Sequence, residues 1–479
     1  MTKRPFWLPT LWVVGFGAAC SAPLPPAPPT RVDRATLAPS LDQHRAQLLE
    51  YLAIDTTNPP GHEARAFPFW SQALLSLGLE VELDPVDDDR GNLWAHLRAP
   101  SPDPGAGPLI LLHHLDVVPS ERDHWTSDPF EPTERDGRIY GRGAIDTKVL
   151  GILQLAALSH LIAAKQRLRR DVIFLAVYDE EAGGRGAQRV VERQLPEWQA
   201  EYLLDEGGYG VRQMMNGQDL LVIAVAQKRT GRMTLTAHGQ AGHGSRPIPN
   251  GGPTVLLTAL SRLLESGPEP RLVPTTIHSF AQMGRMAGQP RQFLLEHLDW
   301  PLAFALISGS LMANKNLGPQ VQDSMSLTML QAGQKDNVIP AEATATFDVR
   351  LLPDTDAGSF LEGRRQLLED LPVTLEWTAL PLPASPASPT DDPLFVALSD
   401  AARAHEPQAL VSPWLLVGAN DSRFFMPAGV KAYGFLPIFL DKAQLDTIHG
   451  HDENVAIDEL EKGLITYTDA LARFLLRQP

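Results

Sequence analysis

The apolar residues of this chain come in blocks, and the period inside each block predicts an element. Leu41–Leu52 carries helical spacing and is broken by Asn58-Pro59-Pro60-Gly61. Phe69–Leu77 is helical again, with Gly78 where a C-cap falls. Glu80–Leu83 and Gly91–Leu97 read as extended, and the run Leu109–Leu112 suits a buried strand. A long irregular loop then leads to a helix over Val149–Ala164, with Leu153, Ala156, Ala157 and Leu161 on one face. The apolar strand Asp171–Tyr178, a helix near Arg185–Gln194 and a strand at Tyr202–Leu204 follow. Strand and helix in alternation imply a parallel sheet with right-handed crossovers.

The rhythm changes after Lys228. Met233–Ala237 alternates like a half-exposed strand, Thr254–Leu264 is an amphipathic helix, and Ser326–Gln331 and Ala343–Val349 read as strands. A helix near Phe360–Leu368 and a strand near Val373–Thr378 complete a small α+β sandwich inserted into the first unit. Residues 268–323 have no place in that sandwich. Their apolar patch Trp300–Leu306 suits a packed accessory hairpin or a substrate-binding element, with packing preferred. Pro381–Pro389 is the exit linker. Helix Pro393–Ala404, strands Leu410–Leu416 and Ala432–Leu436, and a final amphipathic helix near Ile457–Leu476 return to the first pattern. The chain thus divides into 39–228 and 382–479 as one α/β unit, with 229–381 inserted between them.

Composition narrows the function classes. With 43% hydrophobic and 20% charged residues this is an ordinary globular chain, and its net charge of -16 disfavours nucleic acid and anionic surfaces as partners. A single cysteine, Cys20, excludes an intrachain disulfide framework and a thiolate metal cluster. Lys3 and Arg4, the mostly apolar Phe6–Phe16 and Gly17-Ala18-Ala19-Cys20 read as an export signal over residues 1–19. The segment is similar to a bacterial lipoprotein signal, in which Cys20 becomes the lipidated N-terminus, although Gly17 stands where an aliphatic residue is usual. The Pro-rich stretch Pro23–Pro29 within residues 20–38 would then be a stiff tether, and the protein an envelope lipoprotein whose only membrane contact is that anchor.

The candidate chemistry lies where strands must end. His114 and Asp116 follow the run Leu109–Leu112, Glu180 and Glu181 follow Asp171–Tyr178, and Asp205 follows Tyr202–Leu204. Open α/β sheets place their sites at the carboxyl ends of their strands. His114, Asp146, Glu181, Asp205 and His449 form a His/carboxylate set without sulfur, which suits zinc and also cobalt or manganese. Five such ligands hold two ions if one carboxylate bridges. Glu181 can then bind metal while Glu180 serves as general base on a water. His113 competes with His114 for one position, but only His114 has the His-x-Asp spacing.

Taken as a set, His-Leu-Asp-Val-Val-Pro, Tyr-Gly-Arg-Gly-Ala-Ile-Asp-Thr-Lys, Asp-Glu-Glu, Asn-Val-Ile-Pro and the late His-x-x-Asp-Glu resemble the dinuclear zinc peptidases and amidohydrolases. That family includes aminoacylase, succinyl-diaminopimelate desuccinylase and glutamate carboxypeptidase, and the branch of carboxypeptidase S and the N-fatty-acyl-amino-acid synthase/hydrolases looks nearest. The resemblance spans about Leu41 to Leu476. It implies an α/β catalytic domain with a mostly parallel sheet flanked by helices, plus an inserted α+β lid. It implies two zinc ions per subunit. Asp146 would bridge them, with His114 and Asp205 completing one site and Glu181 and His449 the other. The late pattern selects His449 over His451. Asp116 would orient His114, and Glu180 would return its proton to the leaving amine. In the lid, His243 matches the histidine that polarises the scissile carbonyl, often from a partner subunit of a lid-mediated homodimer. Asn337 matches a neighbour of the same oxyanion, and Arg350 the arginine that grips the substrate carboxylate.

The expected activity is hydrolysis of the amide bond of N-acyl amino acids or short peptides that end in a free carboxylate. An envelope carboxypeptidase or dipeptidase is the alternative within the class, and a catalytically silent lipid-tethered binding protein the alternative outside it. The apolar patch Trp300–Leu306 argues for a long or hydrophobic acyl side.

Overall fold

The computed structural model describes residues 31–477, so Cys20, the export signal and most of the expected tether lie outside the described residues. Asp33 caps the first helix, α1 (Arg34–Leu52), by accepting from the Thr36 amide. Val32 is buried beside it, and its amide donates to Asp469. Folded structure therefore begins inside the stretch expected to be tether, because a cap and one buried valine suffice to start the helix there.

The first unit contributes strands β1 (Val81–Pro85), β2 (Gly91–Leu97), β3 (Leu109–His114), β4 (Val172–Val177) and β5 (Tyr202–Asp205). A hairpin follows, β6 (Gly210–Met215) and β7 (Gln218–Gln227), which the apolar pattern alone had not marked. Strands β8 (Arg229–His238), β9 (Ser324–Gln331), β10 (Glu342–Leu351) and β11 (Val373–Ala379) make a separate four-stranded sheet in the order β9-β10-β8-β11. The chain then returns with β12 (Leu410–Leu416), β13 (Lys431–Gly434) and β14 (Phe439–Leu440). The central sheet has ten strands in the order β1-β2-β4-β3-β5-β13-β7-β6-β14, with β12 on β7. Its middle, β4-β3-β5-β13, is parallel throughout, and the antiparallel pairs lie to either side.

Parallel strands covered on both faces should be continuously apolar, and β3 and β4 are buried at every position. Helices α1, α2 (Lys148–Ala163) and α3 (Ile457–Leu475) lie over one face, with a single large core beneath them. The four residues expected on one face of α2 are all buried, but so are its other sides, because α1 and α3 both pack on it. A helix apolar all round belongs in a core, and its amphipathic reading was too narrow.

The lid has its own core, built from the inward residues of its sheet, Met233, Leu235, Ala345, Phe347 and Val349, against the helix Gly252–Glu265. Residues 268–323 are helical, with helices Pro274–Ala287, Arg291–Glu296 and Pro301–Met312, and contain no hairpin. Phe280, Met283, Leu311 and Leu317 pack on Leu220 and Val222 of β7 and against Trp414 of β12. The insert therefore covers the antiparallel side of the catalytic sheet. Leu302 and Leu306 face outward.

Candidate metal centre

The carboxyl ends of β3, β4 and β5 converge, and each delivers acidic or imidazole side chains to one point. His114 ends β3, wholly buried, and its Nδ1 donates to the Asp116 carbonyl at 2.9 Å. That fixes the tautomer and turns Nε2 toward Asp146 Oδ1, 3.0 Å away. The second Asp146 oxygen lies 3.0 Å from His449 Nε2, which is also 3.3 Å from Glu181 Oε2. Asp146 thus stands between the two imidazoles with one oxygen toward each, the arrangement a bridging carboxylate needs. Its neighbours His114 and His449 hold its pKa far below the ordinary range against the effect of burial.

The carboxylate of Asp116 does more than face His114. It lies 3.5 Å from Nδ1 but accepts from the Glu180 amide, the Glu181 amide and the Asn58 side chain at 2.8–3.1 Å. Asp116 fixes the backbone of the two glutamates, and its carbonyl fixes the histidine. His113, the competitor for the position, points the other way. It is buried against Trp70 and Phe174 and bonded to Gln154. His451 stacks on His124 away from the cluster.

Of the two acids at the end of β5, the structure turns the second toward the centre. Both oxygens of Asp205 are taken by backbone amides, of Glu206 at 2.8 Å and Ser422 at 2.9 Å. Glu206 Oε1 lies 3.8 Å from His114 Nε2, and ligand atoms of His114, Glu180 and Glu206 fall within 4.8 Å of one another, as do those of His114, Asp146 and Glu181. Side chains alternate across a strand, so adjacent acids cannot both face the same point. The position expected of Asp205 is geometrically that of Glu206.

These residues fit a divalent metal pair. Glu181 Oε1 is buried with no hydrogen-bond partner among the described residues, and burial together with the Asp146 charge pushes this carboxyl up to about 7. Burial raises Glu206 well above the carboxylate range for the same reason. Hydrogen bonds that His449 donates to Asp146 and Glu181 push its imidazole up to about 10. An oxygen-rich, partly dehydrated donor set that must hold protons to relieve its own charge is one that cations complete.

The lid residues are displaced from this cluster. His243 pairs in register with Val338 and bonds to Ser245, while the Asn337 carbonyl accepts from Gly244. Arg350 is forked onto Asp348 and donates to Thr230. His243 and Asn337 therefore sit together at a two-stranded ribbon, Arg350 lies on the separate four-stranded lid sheet, and all of these partners are lid residues.

The chain matches peptidase family M20/M25/M40 over residues 110–473. It is 31% identical over 367 residues to the N-fatty-acyl-amino acid synthase/hydrolase of Homo sapiens, covering 75% of this chain and 72% of that protein. This chain belongs to peptidase family M20/M25/M40. Aminoacylase-1 of Mus musculus is 29% identical over 432 residues, covering 88% of this chain and 93% of that one. In fold, the chain is similar to an M20 family metallo-carboxypeptidase from Sulfolobus solfataricus, with a TM-score of 0.65 at 18% identity over 90% and 99% of the two chains.

For an M20 chain, the support beneath the ligands is as telling as the ligands. Glu453, wholly buried, accepts from the amides of Gly143, Ile145 and Asp146 at 2.7–3.0 Å and from the Arg142 guanidinium at 2.8 Å. This one carboxylate shapes the loop that presents Asp146. The sequence showed Glu453 only as the end of the His-x-x-Asp-Glu pattern. A cavity of about 900 Å³ is lined in part by Gly207 and Ile448, the sequence neighbours of Glu206 and His449. Its walls include Tyr209, Val222, Leu317, Trp414, Leu416 and Ile448, so the insert contributes through Ala313–Leu317. The Trp300–Leu306 patch lies outside it.

Proposed function

We propose that this chain is a metal-dependent amidohydrolase that frees an amino acid from N-acyl amino acids whose acyl group is long and apolar. The cavity lined in part by Gly207 and Ile448 carries this reading. Its volume falls within the range of about 300–1,000 Å³ typical of small-molecule sites. It starts next to Glu206 and His449, since Gly207 and Ile448 line it, and runs under the insert over mainly apolar side chains. Two relatives bear names of the same chemistry, N-fatty-acyl-amino acid synthase/hydrolase and aminoacylase-1.

In this reading His114, Asp146, Glu181, Glu206 and His449 hold two divalent ions, zinc first among them. Ions held there would supply Lewis acidity, to polarise the amide carbonyl and to make a water acidic enough to act near neutral pH. Glu180 removes a proton from that water. The hydroxyl oxygen adds to the carbonyl carbon, the C–N bond breaks, and Glu180 gives the proton to the departing nitrogen. The lid brings Arg350 to the free carboxylate and His243 with Asn337 to the carbonyl oxygen, from its own or a second subunit.

Each methylene buried in the cavity contributes about 0.8 kcal/mol, so kcat/KM should rise roughly fourfold per added CH2 until the space is filled. Leu416→Trp, which narrows the end beside Gly207, should lower kcat/KM for N-lauroyl substrates at least tenfold more than for N-acetyl ones, an estimate of about 1.4 kcal/mol in relative binding. Equal activity on both chain lengths in the unaltered protein sinks the acyl reading.

The N-terminal segment belongs to the same proposal: an exported enzyme tethered through a lipid on Cys20. The basic, apolar and small-residue order of residues 1–20 supports it. Cys20→Ser should move the protein from the membrane fraction to the soluble one. If the two forms fractionate alike, the lipid anchor is excluded.

A further inference from the structure

The turn that carries Glu180 is locked to a segment more than two hundred residues away. Arg423 Nη1 donates to Glu180 Oε1 at 2.8 Å, and no other side chain among the described residues bonds to the Glu180 carboxylate. The guanidinium is largely buried, with its carbon 4.9 Å from the centre of the Phe424 ring. Its Nη2 lies 3.6 Å from Asp421 Oδ1. Asp421 is wholly buried, neither of its oxygens has a hydrogen-bond donor, and Arg423 is the one cation within 4.0 Å of it among the described residues. A buried carboxylate in that state is costly unless a positive charge faces it. Arg423 supplies that charge and is held in return.

The fit is close on the other side. Gly184 closes the turn after Glu181 with φ +76, and a Cβ there would stand 2.5 Å from Arg423 Nη2 and 2.8 Å from Asp421 Oδ1. The absence of a side chain at 184 lets the turn lie directly on the Asp421–Arg423 pair. The next residue, Ser422, donates its amide to Asp205 beneath the metal centre.

We infer that Arg423, held by Asp421, is a positioning residue that fixes the Glu180 carboxylate for proton transfer. One Glu180 oxygen is occupied by the guanidinium, which leaves the other to take the proton from water and deliver it to the leaving nitrogen. Arg423 keeps all its protons throughout. A glutamate with three free torsions on a strand-end turn has many orientations, and a charge-assisted hydrogen bond selects one. Small errors in that orientation slow the proton transfer without weakening substrate binding. The inference rests on the reading of Glu180 as the base.

The test uses the full chain loaded with metal, N-lauroyl amino acids as substrate, and metal content and thermal unfolding measured beside the kinetics. Arg423→Gln should lower kcat about 100-fold and leave KM within about threefold, with metal content unchanged. Arg423→Lys, which restores the charge but not the planar fork, should recover kcat only to about a tenth of that of the unaltered protein. Asp421→Asn should give a smaller loss of the same kind. In a Glu180→Gln background, Arg423→Gln should cost nothing further, because the group it positions is gone. A raised KM with normal kcat, a loss of metal in parallel with activity, or a full extra loss in that background each overturns the inference. Should Arg423→Gln not fold, Arg423→Lys decides, and a normal kcat in it is equally fatal. If Glu180→Gln alone retains turnover, the base reading falls first and the inference with it.

Discussion

Glu180→Gln should leave a folded protein with a full complement of metal and about a thousandth of its kcat. Glutamine keeps the length of the side chain and can still meet Arg423, but it cannot take a proton from water. Asp116 bonds to the amides of residues 180 and 181, not to the Glu180 carboxylate, so the turn itself should persist. In the proposed assignment the metal donors are other side chains. A kinetic comparison at saturating substrate, beside metal analysis of the same samples, measures this directly. If turnover survives within tenfold, Glu180 is not the base. If metal content falls in step with kcat, Glu180 is a ligand and the role passes elsewhere. The silent binding protein considered from sequence would show full metal and no turnover on a broad amide panel in either form.

The second large effect separates two neighbouring acids. Glu206→Ala should remove about one of two metal equivalents and most of the activity, since ligands of this kind govern affinity directly. Asp205→Asn should keep its metal but lower stability, because both Asp205 oxygens accept buried backbone amides and an amide side chain can accept with only one. The reverse outcome, metal lost from Asp205→Asn and kept in Glu206→Ala, restores the assignment expected from sequence. Metal uptake should also release protons. In the metal-free protein, burial and Asp146 place Glu181 at about 7, and Asp146 and Glu181 place His449 at about 10. Both must be deprotonated to bind, so affinity should rise as pH rises through this window and fall below it. Calorimetry in buffers of different ionisation enthalpy counts the protons. A pH-independent affinity from pH 6 to 9 contradicts this account.

Much of the scaffold was legible because its signals are local. A strand buried on both faces must be apolar throughout, and β3 and β4 are. Ligands belong at strand ends, and His114 and Glu181 lie there. What escaped was decided by neighbours far along the chain. Nothing within Asp205-Glu206 says which acid faces the metals. That depends on the Ser422 amide, which captures Asp205 from far along the chain. The hairpin β6–β7 carried its own sign, Asn216-Gly217, with both residues at positive φ. Its apolar half reads equally well as a helix until β12 and β13 flank it. The apolar patch Trp300–Leu306 reads from sequence as a packing element first and as an acyl contact second. Ala313–Leu317 lines the cavity, because Leu311 and Leu317 anchor the end of the last helix on β7.

The grip of Glu453 on the Asp146 loop has a consequence for the order in which the enzyme comes alive. The carboxylate that shapes the bridging position, and the imidazole of His449 that completes it, are encoded after the whole lid has been made. A growing chain can lay down β3, β4 and β5 early, yet the loop at Asp146 lacks its template until the last thirty or so residues emerge. Chains that stop short of residue 449 therefore lack both that template and the imidazole beside Asp146.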